Sequence, residues 1–154
     1  MTTFLNGQKV SKNDILIHFI GAADELNSHL GLVKALPVGN DTRKFVEEIQ
    51  KNLMKLMSHV SDSKNEKYIF TEKEPAELEK ETERLKAPLP ALTQFVLPGR
   101  DVVDAQIHIA RTVARRAERL FAAANEKQPL CPNAGVYLNK LSGYLFVLSQ
   151  LPRN

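Results

Sequence analysis

The chain holds one cysteine, Cys131, among 154 residues. That excludes an internal disulfide framework and a cysteine-based zinc cluster, and it points to a reducing compartment. Cys131 reads as a small buried residue rather than a nucleophile. No run approaches the roughly 18 to 20 apolar residues of a membrane span. The opening MTTFLNGQKVSKND lacks the apolar centre of a secretion signal. The expected setting is cytoplasmic, with no membrane partner. Phosphate-loop, dinucleotide and nucleophile-elbow signatures are missing too: no GxxxxGK followed by Ser or Thr occurs, and no GxGxxG or GxSxG. A di-iron bundle requires paired Glu-x-x-His on two helices; Glu25 and His29 are four apart and have no counterpart. His18, His29, His59 and His108 share no ligand spacing, so no protein-held metal is expected. Alternating strand patterns, repeats and low-complexity segments are also lacking.

What is present is a soluble, globular balance, 43% apolar and 25% charged, which makes disorder a poor description. The net charge of +3 suits an anionic ligand such as a nucleotide as readily as nucleic acid. The basic residues are scattered and no helix-turn-helix rhythm stands out, so nucleic acid is not an expected partner. The length fits one domain, taken as residues 1–154.

Helical periodicity organises the rest. Residues 1–14 are polar and turn-like, with Asn6-Gly7 as the strongest turn signal, and Asp14 or Asn13 caps a helix over about 14–36. Its stripe is Ile15, Phe19, Ala22, Leu26, Leu30 and Val33; Asp24 points the opposite way, beside Ser28 and Gly31, small residues that admit a second chain. A second helix over about 42–62 carries Phe45, Ile49, Leu53, Leu56 and Val60. A third opens near Pro75 with Ala76, Leu78 and Leu85 and is the most exposed. Residues 125–132 read as a loop. The last helix, about 133–151, is apolar nearly all round and must lie centrally in a bundle or an oligomer. The pattern predicts an all-α bundle of about five helices with short loops.

The chain is organised around FVLPGRDVVDAQIHIARTVARRAERLF, residues 95–121. As a helix from about Asp101, it places Val103, Ile107, Ala110, Ala114, Ala117, Phe121 and Ala124 on a seam. A second stripe, His108, Arg111, Arg115 and Glu118, runs along the seam's edge, where half-buried side chains are expected. Arg116 falls opposite the seam and Arg119 beyond the edge. Two readings stand for this stripe. One is a solvated face rich in pairs three or four residues apart; the other is an anion site, favoured by Arg over Lys, because guanidinium grips phosphate oxygens through two bonds.

Four ordered motifs decide the family it resembles: GAADELNS (21–28), FVLPG (95–99), HIARTVARRAER (108–119) and YLNKLS (137–142). Together they resemble the ATP:cob(I)alamin adenosyltransferases of the propanediol-utilisation type. The resemblance implies a homotrimer of five-helix bundles, ferritin-like in their up-and-down packing, with active sites between subunits. The implied reaction moves the 5′-deoxyadenosyl group of ATP to the cobalt of cob(I)alamin, forming adenosylcobalamin and releasing triphosphate, with Mg²⁺ assisting. ATP would be bound by Thr2, Thr3, Lys12, Arg115, Arg116, Glu118, Arg119 and Asn139. Arg111 would pair with Asp24 of a neighbouring subunit, and Phe95 would lie beneath the corrin, displacing its lower axial ligand. A corrinoid reductase and an adenosylcobalamin-dependent enzyme are the implied partners.

The sequence departs from that pattern in four places. Residues 1–13 match only the trailing end of a phosphate-wrapping loop. Arg100 stands for a glycine, Lys140 for an arginine and Gly143 for an aspartate. The alternative these departures leave open is a truncated or degenerate trimeric relative that binds corrinoid or nucleotide without turnover.

Overall fold

The computed structural model describes residues 1–153; Asn154, the last residue of the expected domain, lies outside the described residues. Five helices form the body: α1 (Ile15–Ala35), α2 (Asn40–Ser61), α3 (Lys73–Lys86), α4 (Val102–Lys127) and α5 (Pro132–Ser149). A 3₁₀ turn, Glu66–Tyr68, joins α2 to α3. The central helix α4 packs between α1 and α5; α1 also packs on α2, and α5 on α3.

Local chemistry sets the helix ends. Asp14 caps α1, its carboxylate accepting from Leu16 N at 2.9 Å, and it also pairs with Lys127 at the end of α4. Pro37 and a left-handed Gly39 (φ 87°) separate α1 from α2. Asp101 caps α4, accepting from Asp104 N at 2.7 Å, and Pro132 opens α5 at a position where its missing N–H costs nothing.

The alanine seam of α4 lies in the core: Ala110, Ala114, Ala117 and Ala124 are fully buried. Small side chains there let α4 approach its neighbours closely. Phe121 meets Phe19 of α1 edge-on at 5.3 Å, and an added Cβ at Gly135 of α5 would stand 3.3 Å from the same ring. Each leucine sealed in this core, such as Leu26, Leu53 and Leu138, contributes roughly 1.5–3 kcal/mol. Tyr137 and Tyr144 of α5 are fully buried as well, and burial pushes both phenols well above their ordinary range. Asn52 donates to the Tyr137 hydroxyl at 3.2 Å.

Four expectations need correction. Residues 1–14 are not merely polar turn: Thr2–Thr3 pairs antiparallel with Lys9–Val10, and Phe4 and Val10 enter the core. Strands of two residues are too short to show alternation. Second, α4 continues two residues beyond Asn125 to Lys127, because its end is held by Asp14. Third, α3 buries Pro75 and Leu78 while Ala76 is exposed. Fourth, Gly31 does not share the open face of Asp24; a Cβ there would meet Gln50 of α2 at 3.5 Å. The expected central place of α5 holds, with an exposed edge at Val136, Asn139 and Gly143.

Candidate functional site

The charged stripe of α4 divides by depth. His108 is buried, Arg111 and Glu118 are half-buried, and Arg115, Arg116 and Arg119 are exposed. Arg115 was expected at the half-buried edge; in the single chain its seam neighbours are alanines, too short to cover a guanidinium, and it reaches solvent.

These side chains have different partners. The Asn139 amide of α5 donates to Glu118 Oε1 at 2.9 Å, so two residues expected at the nucleotide meet across the α4–α5 seam. Arg116 turns the other way and pairs with Glu25 of α1. Arg111 Nε donates to His108 Nδ1 at 3.2 Å. Arg115 and Arg119 have no hydrogen-bond or ion-pair partner among the described residues, nor do the side chains of Lys12 and Asp24. Arg111 and Asp24 do not meet within one chain. Lys140 is engaged elsewhere, at 2.9 Å from Glu79 of α3.

The remaining expected residues sit at opposite ends of the bundle. Thr2, Thr3 and Lys12 belong to the hairpin region, which rests near the end of α2, where Asn6 N donates to Ser61 O at 3.3 Å, and near the end of α4 through Asp14 and Lys127. Phe95 stands at the other end, in the 87–101 connection, fully exposed. Arg115 lies between, about 20 Å along the axis from the start of α4. The structure therefore brings together Glu118 and Asn139, ranks Arg111, Arg115 and Arg119 along one helix, and separates both from Phe95.

The Phe95 end also holds a cleft of about 840 Å³, lined in part by Leu89, Leu92, Gly143, Phe146 and Val147. Mostly apolar clefts of this size suit a sizeable organic ligand. Gly143 keeps this wall low.

Two residues escaped the sequence reading. Asp104 is 2% exposed, and its Oδ2 accepts from Gly99 N at 2.7 Å and Arg100 N at 3.0 Å. Those bonds hold its carboxyl below the ordinary range against the opposing cost of burial. The Asp101-x-x-Asp104 spacing, a carboxylate variant of the capping box, was the available signal. Arg100 was noticed only as a departure; its guanidinium donates to Ser149 O at 3.1 Å and Leu151 O at 3.0 Å, tying the loop to the end of α5.

Comparison with known proteins bears on this arrangement. Residues 1–151 match the family described as Cobalamin adenosyltransferase. Over 147 residues the chain is 37% identical to the cobalamin adenosyltransferase of Cupriavidus metallidurans, covering 95% of this chain and 79% of that one. It is 33% identical over 154 residues to a corrinoid adenosyltransferase of Citrobacter freundii, covering 97% and 88%. Among solved structures, a variant of the PduO-type ATP:corrinoid adenosyltransferase of Lactobacillus reuteri, complexed with cobalamin and ATP, superposes with a TM-score of 0.89 at 27% identity. The match covers 97% of this chain and 86% of that one.

Proposed function

The chain belongs to the cobalamin adenosyltransferase family and is an ATP-dependent corrinoid adenosyltransferase; we propose that the α4 stripe binds its nucleotide and that Phe95 faces its corrin. The observation that carries this reading is the stripe itself. Arg115 and Arg119 stand without partners beside the Glu118–Asn139 pair, and free guanidinium groups on one rigid helix are what a polyphosphate requires.

In the proposed reaction cob(I)alamin attacks C5′ of the ribose in line. The Co–C bond forms with the cobalt electron pair, the C5′–O bond breaks, and triphosphate leaves with that bond's electrons. Arg115 and Arg119 would meet the growing negative charge on the leaving group, where charge-assisted bonds count most. Glu118 and Asn139 would orient the nucleotide. Mg²⁺ is proposed to come with the phosphates. Among the described residues no three His, Cys, Asp or Glu side chains cluster for a resident ion, and Mg²⁺ on a nucleotide needs only one or two carboxylates. Glu118 is the carboxylate on this stripe.

We also propose a homotrimer in which the exposed, unpaired Asp24 of one subunit reaches Arg111 of another, completing the site between subunits. The proposed setting is cytoplasmic, with a corrinoid reductase upstream and an adenosylcobalamin-dependent enzyme downstream. No helix among the described residues is long and apolar enough to cross a membrane.

Titration of Mg-ATP into the intact protein tests the nucleotide side. Binding must weaken on Arg115→Ala with helicity unchanged; equal affinity would refute the assignment. Light scattering of Asp24→Ala tests the interface, where loss of the trimer is expected and an intact one contradicts the pairing.

A further inference from the structure

Between Leu89 and Gly99 no backbone N–H donates to any of the described residues. The Phe95 segment is held at its ends, by Leu89 N on Lys86 O at 2.9 Å and by Gly99 and Arg100 on Asp104. The second anchor is the stronger by its chemistry. It is a buried carboxylate that accepts two adjacent backbone N–H groups, and charge-assisted bonds of this kind exceed neutral ones roughly twofold. Gly99 is left-handed, φ 106°, which lets the chain turn so that both N–H groups face one oxygen.

The carboxylate is itself braced. Asp101 Oδ1 accepts from Asp104 N at 2.7 Å, and His108 Nε2, one turn on, stands 3.5 Å from Asp104 Oδ1. Because Arg111 Nε donates to His108 Nδ1, the neutral imidazole carries its proton on Nε2, which lies near the carboxylate but makes no hydrogen bond among the described residues. A line of contacts therefore runs from the exposed Gly99 and Arg100 through the buried Asp104 and His108 to the half-buried Arg111 of α4. It joins the loop carrying Phe95 to the arginine stripe.

We infer that Asp104 is a positioning residue for adenosyl transfer: by gripping the Gly99 and Arg100 amides it sets where Phe95 stands relative to the arginine stripe. This rests on the reading of Phe95 as the corrin-facing residue. Asp104 touches neither substrate; it acts through the loop four residues downstream of Phe95. A small displacement of one reacting partner against the other is enough to slow an in-line displacement severely.

Two measurements on the full chain test this together. Amide exchange at Gly99 and Arg100, both exposed, reads the clamp without any activity. Asp104→Ala should exchange there at near the free-loop rate, and Asp104→Asn, which keeps one acceptor oxygen, should fall between. Steady-state kinetics read the positioning. Asp104→Ala should lower kcat about 10- to 100-fold with KM for ATP unchanged, and should add little once Phe95→Ala is present. Unchanged amide protection overturns the clamp, as does fast exchange with undiminished kcat for the positioning role. A loss fully additive with Phe95→Ala shows Asp104 acting elsewhere and also overturns it. Failure of the underlying reading looks different: Phe95→Ala alone then turns over like the wild type, removing the inference's premise. If Asp104→Ala does not fold, Asp104→Asn carries the same comparisons.

Discussion

Glu118 and Asn139, on different helices 21 residues apart, are joined by an amide-to-carboxylate bond of 2.9 Å. The bond links the exposed edge of α5 to the arginine face of α4, so in the proposed site neither residue would act on the nucleotide alone. Replacing either with Ala should raise KM for ATP several-fold, and the double replacement should cost less than the sum, with a coupling of at least about 0.5 kcal/mol. Strict additivity in that cycle would separate the two roles.

Arg115 is exposed and unpartnered, so the fold does not need it. Arg115→Ala should leave thermal unfolding almost unmoved, as surface replacements do, while kcat/KM for transfer falls by at least about 100-fold. Arg115→Lys should recover part of that, keeping the charge without the fork. Unfolding scans beside turnover assays check both halves; wild-type turnover in Arg115→Ala would remove the residue from the site.

Phe95 presents 104% of its reference surface, so its removal costs the isolated fold no packing. Phe95→Ala should match the wild type in stability and ATP affinity while kcat falls. A parallel loss of stability would mark Phe95 as structural.

His59 and His108 are buried, and burial holds both imidazoles below their ordinary range. His59 Nε2 accepts from Cys131 N at 2.9 Å, a bond only the neutral ring can accept. As pH falls through about 6.5, the unfolded chain takes up protons that the folded chain refuses, so stability declines with acid. Melting temperature should be flat above about pH 7.5 and fall below about 6.5, less steeply for His59→Gln. An identical slope in that variant would acquit His59.

Asp14 caps α1 through Leu16 N and pairs with Lys127. Asp14→Ala should lose about 1 kcal/mol, seen as a melting shift of about 2–4 °C. No shift would show that the cap is replaced by water.

The fold was legible where one residue type repeats at helical spacing. The stripes of α1, α2 and α4 stand in the core as their period required, because burial on a helix follows from a count of residues. The Thr2–Thr3 hairpin was not, since its pairing depends on where the ends of α2 and α4 happen to lie. The α4 stripe was legible in its order along the helix and not in its depth. Arg115 sits correctly beside the seam, yet its exposure depends on how small the flanking alanines leave the wall. Asp104 was missed because an Asp in a first helical turn ordinarily serves the helix dipole; its reach back to Gly99 and Arg100 appears only with the loop's path. The proposed pairing of Arg111 with Asp24 would join two subunits, and within one chain the two residues do not meet.

The central claim is turnover, and one anaerobic assay tests it most directly. The purified chain is mixed with chemically generated cob(I)alamin and Mg-ATP, and adenosylcobalamin is followed by its visible spectrum against a protein-free control. Adenosylcobalamin should form above that control, and Arg115→Ala should abolish it. No product while the protein still binds corrinoid and ATP would contradict that claim, leaving a binding protein on an adenosyltransferase fold.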